Sequence, residues 1–97
     1  MYYVYVLQSL QDGKFYVGYT KDLIERLKSH NLGKVTSTRN RVPLKLIYYE
    51  ACINQKDALH RERYLKTAYG KRYIKNIDYK LFYRTYYIPE FQPEIIH

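Results

Sequence analysis

The sequence predicts one small domain that combines three strands with helices, and three observations carry this prediction. The chain has 97 residues, which leaves room for a single hydrophobic core. Two blocks rich in aromatic and β-branched residues flank an Asp-Gly pair near the N-terminus, which is the pattern of a β-hairpin. Further along, apolar residues recur at helical spacing after residues that commonly cap helices.

The hairpin is the first predicted unit. Its strands cover residues 2–8 and 15–20, and residues 11–14 supply the turn. Gly18 interrupts the second strand. A glycine inside a strand indicates either close approach by another group or a β-bulge, and the sequence leaves both open.

A helix and a third strand should follow the hairpin. Asp22 followed by Glu25 resembles a capping box, so the helix is predicted to begin near Leu23. It should end around Gly33, which suits a left-handed cap. A polar basic loop then leads to a third strand over residues 44–51.

Two more helical segments and an arm complete the chain. Asn54 with Asp57 indicates the start of a second helix, which should stop at Gly70. Four of its residues are predicted to share one face: Ala58, Glu62, Leu65 and Tyr69. A third helical stretch is expected over residues 71–81, which closes the domain. Residues 82–97 are rich in aromatics and should form an extended arm on the domain or on a second copy, as in a homodimer.

The charge distribution indicates a polyanionic partner. The formal net charge is +8, and no acidic residue lies between Arg26 and Tyr49. Such a basic excess is typical of nucleic-acid binding, although a solvated basic surface would give the same pattern. The single cysteine, Cys52, excludes an internal disulfide and is expected to be a small buried hydrophobe. With no signal peptide and no long apolar run, the protein is expected to be soluble and cytoplasmic.

Five side chains suit the hydrolysis of a phosphodiester: Tyr5, Tyr16, Arg26, His30 and Glu62. A carboxylate can hold a hard divalent metal, and a guanidinium can neutralise a phosphate. A phenol or an imidazole can position or deprotonate a water. The spacing of four residues places Arg26 and His30 on one helix face.

Each of the five also has a simpler structural role. Glu62 can form a surface ion pair with Lys66, one helical turn later. Arg26 can be an exposed helix residue, and His30 can stabilise the helix C-terminus. The two tyrosines can pack in the core of the hairpin.

In combination, these residues resemble the GIY-YIG nuclease superfamily. The resemblance rests on Tyr5, the Tyr16-Val17-Gly18 block, Arg26, His30 and Glu62, in this order and at compatible spacing. It extends through Ser37-Thr38-Arg39-Asn40-Arg41, Pro43-Leu44-Lys45-Leu46 and Tyr48-Tyr49-Glu50. The similarity is greatest to small stand-alone bacterial members related to the nuclease domain of the bacterial excinuclease. In the first block, Tyr3 and Val4 replace glycine and isoleucine.

The resemblance implies an α+β fold, with a three-stranded antiparallel sheet flanked by helices. It also implies metal-dependent cleavage of DNA, with Mg²⁺ as the expected ion and Mn²⁺ as an alternative. By the same resemblance, Arg26 faces the phosphate, His30 acts beside it and Glu62 is the metal ligand. Tyr5 is favoured as the general base, with Tyr16 orienting water or phosphate, and His30 is an alternative base.

Nucleic-acid binding is expected from Arg39, Arg41 and Lys66, and the resemblance adds Asn76. Contacts of this kind reach the backbone, so they give affinity with little sequence preference. DNA is the expected substrate, with RNA left open, and a structure-selective role in repair or recombination is a further expectation. The alternatives are a non-catalytic nucleic-acid-binding module on the same scaffold and an interaction protein that dimerises through its aromatic arm.

Overall fold

A computed structural model describes residues 1–76 of the chain. Its elements follow in this order: β1 (Tyr2–Ser9), β2 (Phe15–Thr20), α1 (Leu23–Asn31), a 3₁₀ turn (Arg39–Arg41), β3 (Leu44–Cys52), α2 (Gln55–Leu65) and α3 (Ala68–Lys75). The three strands form one antiparallel sheet in the order β2-β1-β3. The α+β fold and the sheet implied by the sequence are therefore confirmed.

The sheet register decides between the two interpretations of Gly18. Gly18 pairs with Tyr5 in an unbroken ladder between β1 and β2. The irregularity in this sheet lies on the other side of β1, where the pairing with β3 shifts between Val6 and Leu7. Gly18 is therefore not at a bulge, and the glycine has to be explained by what lies against it.

The sheet buries a different core on each face, because side chains along a strand alternate. The face that carries Val4 and Val6 packs against α2 and α3, through residues such as Leu65 and Ile74. The opposite face packs against α1, and its core consists of Tyr5, Leu7, Leu23, Leu44 and Leu46. Cys52 packs at the margin of the first core and is half-buried rather than fully buried.

The first helix forms as its local sequence predicts. It begins at Leu23, and the side chain of Asp22 accepts a hydrogen bond from the backbone N–H of Glu25 at 3.1 Å. Gly33 follows its C-terminus with φ of +75°, the left-handed conformation that favours glycine.

The second helix is shorter than predicted, and the third begins earlier. The chain breaks after Leu65, because Thr67 caps a new helix by accepting from the Gly70 N–H and donating to the Tyr64 carbonyl. A side chain at position 70 would overlap the backbone of Tyr64 and Leu65. Gly70 therefore marks a close crossing of α2 and α3, and the prediction of a helix stop there was wrong.

Other sequence predictions fall partly outside the described residues. These are the continuation of the third helix to residue 81, the domain boundary there, and the aromatic arm over 82–97 with its homodimer. None of the helices within residues 1–76 is long and apolar enough to cross a membrane.

Candidate active site

The side chain of Tyr5 explains the glycine in the edge strand. Tyr5 extends from the central strand β1 across Gly18 of β2, and a Cβ at Gly18 would overlap the phenol ring and hydroxyl. Tyr5 is 1% exposed. Its hydroxyl is therefore enclosed by the protein, close to the outer edge of the sheet.

His30 holds the Tyr5 hydroxyl from α1. Its Nε2 lies 2.8 Å from the Tyr5 oxygen, and its Nδ1 lies 2.7 Å from Oγ1 of Thr38. His30 and Thr38 are both fully buried. Burial, assisted by the nearby charge of Arg26, lowers the pKa of His30 to about 4. The imidazole is therefore neutral near pH 7, and it links Thr38 to Tyr5 in a continuous hydrogen-bonded chain.

Arg26 lies one helical turn before His30 and donates from Nε to the Tyr5 hydroxyl at 3.3 Å. Burial is the largest influence on Tyr5 and raises its pKa to about 12, against the opposing effect of Arg26. Tyr5 is therefore a neutral phenol. Within residues 1–76, no carboxylate forms an ion pair with Arg26. The guanidinium, whose pKa the bond to Tyr5 raises, keeps an uncompensated positive charge.

Tyr16 completes this group and is its half-buried member. Its ring packs edge-on against His30, with centroids 5.1 Å apart, and lies 6.5 Å from the ring of Tyr5. Ser37 donates to its hydroxyl at 3.4 Å, and Arg26 also interacts with that hydroxyl. Four of the five residues selected from the sequence thus contact one another directly.

Glu62 approaches from the other side of the sheet. It lies on α2, which covers the face opposite α1, and no direct bond joins it to the other four. Its charge nevertheless contributes, as the weakest influence, to the raised pKa of Tyr5. Because the Tyr5 hydroxyl crosses the edge strand, the candidate site lies around the edge of β2 and not on one concave face.

Glu62 forms the ion pair that was the structural alternative in the sequence. Its Oε2 lies 3.4 Å from Nζ of Lys66. The Lys66 side chain is 55% exposed, so the pair is a weak one. A pair of this kind can be exchanged for another cation at small cost.

The donor set around Glu62 fits magnesium better than a structural metal. In the described part of the chain, no three histidine, cysteine or acidic side chains converge. Glu62 would therefore be a single protein ligand. Mg²⁺ is commonly bound through one or two carboxylates, with waters and substrate phosphates in the remaining positions. A structural zinc site would need four protein ligands.

The basic residues expected to bind nucleic acid occupy different environments. Arg39 is exposed, whereas Arg41 pairs with Asp12 at 3.3 Å and donates to the Phe15 carbonyl. Lys66 pairs with Glu62 as described, and Asn76 is the C-cap residue of α3. Arg39 is therefore the one member of this group that is both exposed and without an ion-pair partner among residues 1–76.

Two hydroxyl residues of the site were not selected from the sequence. Thr38 orients His30, and Ser37 contacts Tyr16. Both stand in the block that extended the resemblance. The available signal was a pair of hydroxyls in a basic loop, eight residues after His30, but loop composition does not reveal which side chain turns inward.

Comparisons with known proteins agree with this geometry. The model of the GIY-YIG catalytic domain matches residues 1–76. A UPF0213 protein of Bacillus licheniformis is 41% identical over 80 residues, 81% of each chain. One from Clostridium perfringens is 38% identical over 81 residues, 82% of this chain and 86% of the relative. The solution NMR structure of a UPF0213 protein from Bacillus halodurans is similar with a TM-score of 0.53 and 30% identity, covering 92% of this chain and 98% of that one.

Proposed function

We infer that this chain, which belongs to the GIY-YIG nuclease family, is a divalent-metal-dependent endonuclease that hydrolyses DNA with little sequence specificity. The observation that carries the proposal is Arg26. It is a positive charge without a carboxylate partner in residues 1–76, held against two phenols at an edge of the sheet. An anion is the missing partner of such a site, and family membership makes the phosphodiester the anion of choice.

Arg26 would bind the scissile phosphate and counter the charge that develops on its equatorial oxygens. Tyr5 and His30 keep the guanidinium in place, because the Tyr5 hydroxyl accepts from Arg26 and is itself bonded to His30. Removing a preorganised group of this kind typically costs about 3–4 kcal/mol of transition-state stabilisation.

Tyr16 is better placed than Tyr5 to assist the attacking water. The sequence favoured Tyr5 as general base, but its hydroxyl is buried, already bonded twice, and has a pKa of about 12. A general base has to come within about 2.6–3.2 Å of the water. Tyr16 is half-buried, and besides its interaction with Arg26 its hydroxyl has a long bond to Ser37. We therefore assign water activation to Tyr16 and positioning to Tyr5 and His30.

Glu62 would hold the divalent cation, with Mg²⁺ as the first candidate and Mn²⁺ as the second. Such an ion polarises a phosphoryl oxygen and stabilises the leaving oxygen when it is bound. In that state Lys66 would lose its partner and become free to contact a backbone phosphate.

The ion pair of Glu62 and Lys66 also favours a second candidate function. If it persists in the presence of nucleic acid, the protein is a non-catalytic binding module on the nuclease scaffold. The two functions differ in one experiment. Labelled single-stranded, duplex and branched DNA, with matched RNA, would be incubated with Mg²⁺ or Mn²⁺ and with a chelator control.

An endonuclease should cut at least one DNA substrate, and the chelator should abolish cutting. Preferential cutting of branched DNA would support a role in repair or recombination. Binding without cleavage of any substrate, with either ion, would instead establish the binding module.

A further inference from the structure

A basic pocket lies at the turn end of the hairpin. It has a volume of about 370 Å³, and its lining includes Asp12, Lys14, Phe15, Arg41, Lys71 and Lys75. We call it the hairpin pocket. The first three residues come from the hairpin, Arg41 from the end of the 3₁₀ turn, and the two lysines from α3.

The hairpin pocket has more positive charge than it can neutralise. Its one carboxylate, Asp12, pairs with Arg41 at 3.3 Å. Lys14, Lys71 and Lys75 form no ion pair within residues 1–76. Lys71 and Lys75 also stand four residues apart on one helix, where like charges repel each other and destabilise the helix slightly. Such an arrangement is relieved when an anion binds.

The hairpin pocket is connected to the candidate active site along the edge of the sheet. Phe15 precedes Tyr16 in β2, and Arg41 lies three residues after Thr38. Lys14 and Tyr16 are two residues apart, or about 7 Å along a strand. This distance equals the axial rise of about two nucleotides in one DNA strand. Among residues 1–76, no strand pairs with the outer edge of β2.

We propose that the hairpin pocket binds a backbone phosphate of the nucleic acid that is cut at Tyr16 and Arg26, about two nucleotides from the scissile bond. The proposal rests on the proposed function and deepens it. A polynucleotide can place one phosphate at Arg26 and another among Lys14, Lys71 and Lys75. The protein would then require a substrate that continues beyond the cleavage point.

The test compares two double variants that each remove two positive charges from exposed helical positions. Lys71→Ala with Lys75→Ala removes charge from the hairpin pocket. Lys28→Ala with Lys56→Ala is the control, on α1 and at the start of α2. Binding of a labelled 20-base-pair DNA would be measured at 50 and 200 mM salt, with a chelator present so that no cleavage occurs.

Each phosphate contact adds about 0.9 to the log–log salt slope. Loss of two contacts should make the fourfold salt increase weaken binding about twelvefold less than in wild type. The control should differ from wild type by less than about twofold. Equal changes in both variants would overturn the proposal, because they would reflect the overall field of the protein and not a phosphate site.

Lys14→Ala tests the same pocket without altering a helix and should show about half the change in slope, roughly 3.5-fold. It keeps the proposal falsifiable if the double variant fails to fold. Loss of binding to inorganic phosphate alone, with DNA binding and its salt slope intact, would also overturn the proposal. If wild type binds no nucleic acid, the proposed function fails; if wild type binds and cuts but the pocket variants match the control, only the pocket assignment fails.

Discussion

Two clusters of arginine and tyrosine lie on opposite faces of the same sheet, and they differ in one component. In the cluster on the α2 face, Arg61 donates two hydrogen bonds of 2.8 and 2.7 Å to Glu50, and Tyr48 donates to the same carboxylate at 2.7 Å. In the cluster on the α1 face, Arg26 meets only the hydroxyls of Tyr5 and Tyr16. The first arginine has a carboxylate and the second has none within residues 1–76.

This difference separates a structural cluster from a functional one. Burial opposes ionisation of Glu50, but the bonds from Arg61 and Tyr48 outweigh it and hold its pKa below the usual range. Its charges therefore cancel inside the protein. Around Arg26 the phenol and the imidazole are neutral, with pKa values of about 12 and about 4. The same residue types thus produce a satisfied network or an anion site, depending on whether a carboxylate is present.

The largest effect is expected from comparing the carboxylates of the two faces. Glu62→Gln should reduce cleavage about a thousandfold or more, since metal-ion catalysis supplies several kcal/mol, while nucleic-acid binding persists or tightens. Glu50→Gln should leave cleavage nearly intact and lower the free energy of unfolding by about 1–2 kcal/mol. Cleavage rates, binding and thermal melting of both variants check this. Normal cutting by Glu62→Gln would reduce its role to the ion pair with Lys66.

The two arginines should separate in the same manner. Arg26→Ala should lower the cleavage rate about 100- to 1,000-fold, which corresponds to a loss of about 3–4 kcal/mol in the transition state, with little change in melting temperature. Arg61→Ala leaves Glu50 half-buried without its cation and should cost about 1.5–3 kcal/mol of stability. If Arg61→Ala abolished cleavage in a fully folded protein, the contrast between the clusters would be wrong.

Acid should affect the two clusters in different pH windows. Folded His30 has a pKa of about 4, below its ordinary 6.5, so the unfolded chain binds more protons and stability falls as pH falls from about 6.5 to 4. The loss should be about 3 kcal/mol. The contribution of Glu50, whose pKa is lowered, should be lost only below its ordinary value of 4.5. Urea unfolding of wild type and His30→Gln between pH 7 and 4 would test this, because the variant should lack the first loss.

The smallest effect compares the two glycines that permit close approach. Gly18→Ala would displace the Tyr5 ring, and Gly70→Ala would separate α2 from α3. Overpacking of this kind typically costs about 1–3 kcal/mol of stability in either case. Only Gly18→Ala should also lower cleavage in the fraction that stays folded. Equal specific activity of both variants would contradict the role of Tyr5 in holding Arg26.

Much of the fold could be predicted because it depends on neighbours in the sequence. The Asp-Gly turn, the cap at Asp22 and the cap at Asn54 act over two or three residues, and the hairpin, α1 and the start of α2 form where they were predicted. Gly70 was misinterpreted for the same reason. Its role depends on a crossing between two helices, whereas its local pattern resembles a helix end.

The sequence by itself determined the strands, the capped helices and the list of five residues that resemble a nuclease site. Only the tertiary structure decided what each of them does. Tyr5 and His30 are 25 residues apart, and their bond exists because register places Tyr5 over Gly18 while α1 packs on that face. Whether an arginine meets a carboxylate is likewise decided by packing, because Arg61 and Glu50 come from α2 and β3. Local chemistry selects the elements, but charge compensation depends on distances that exist only after they pack.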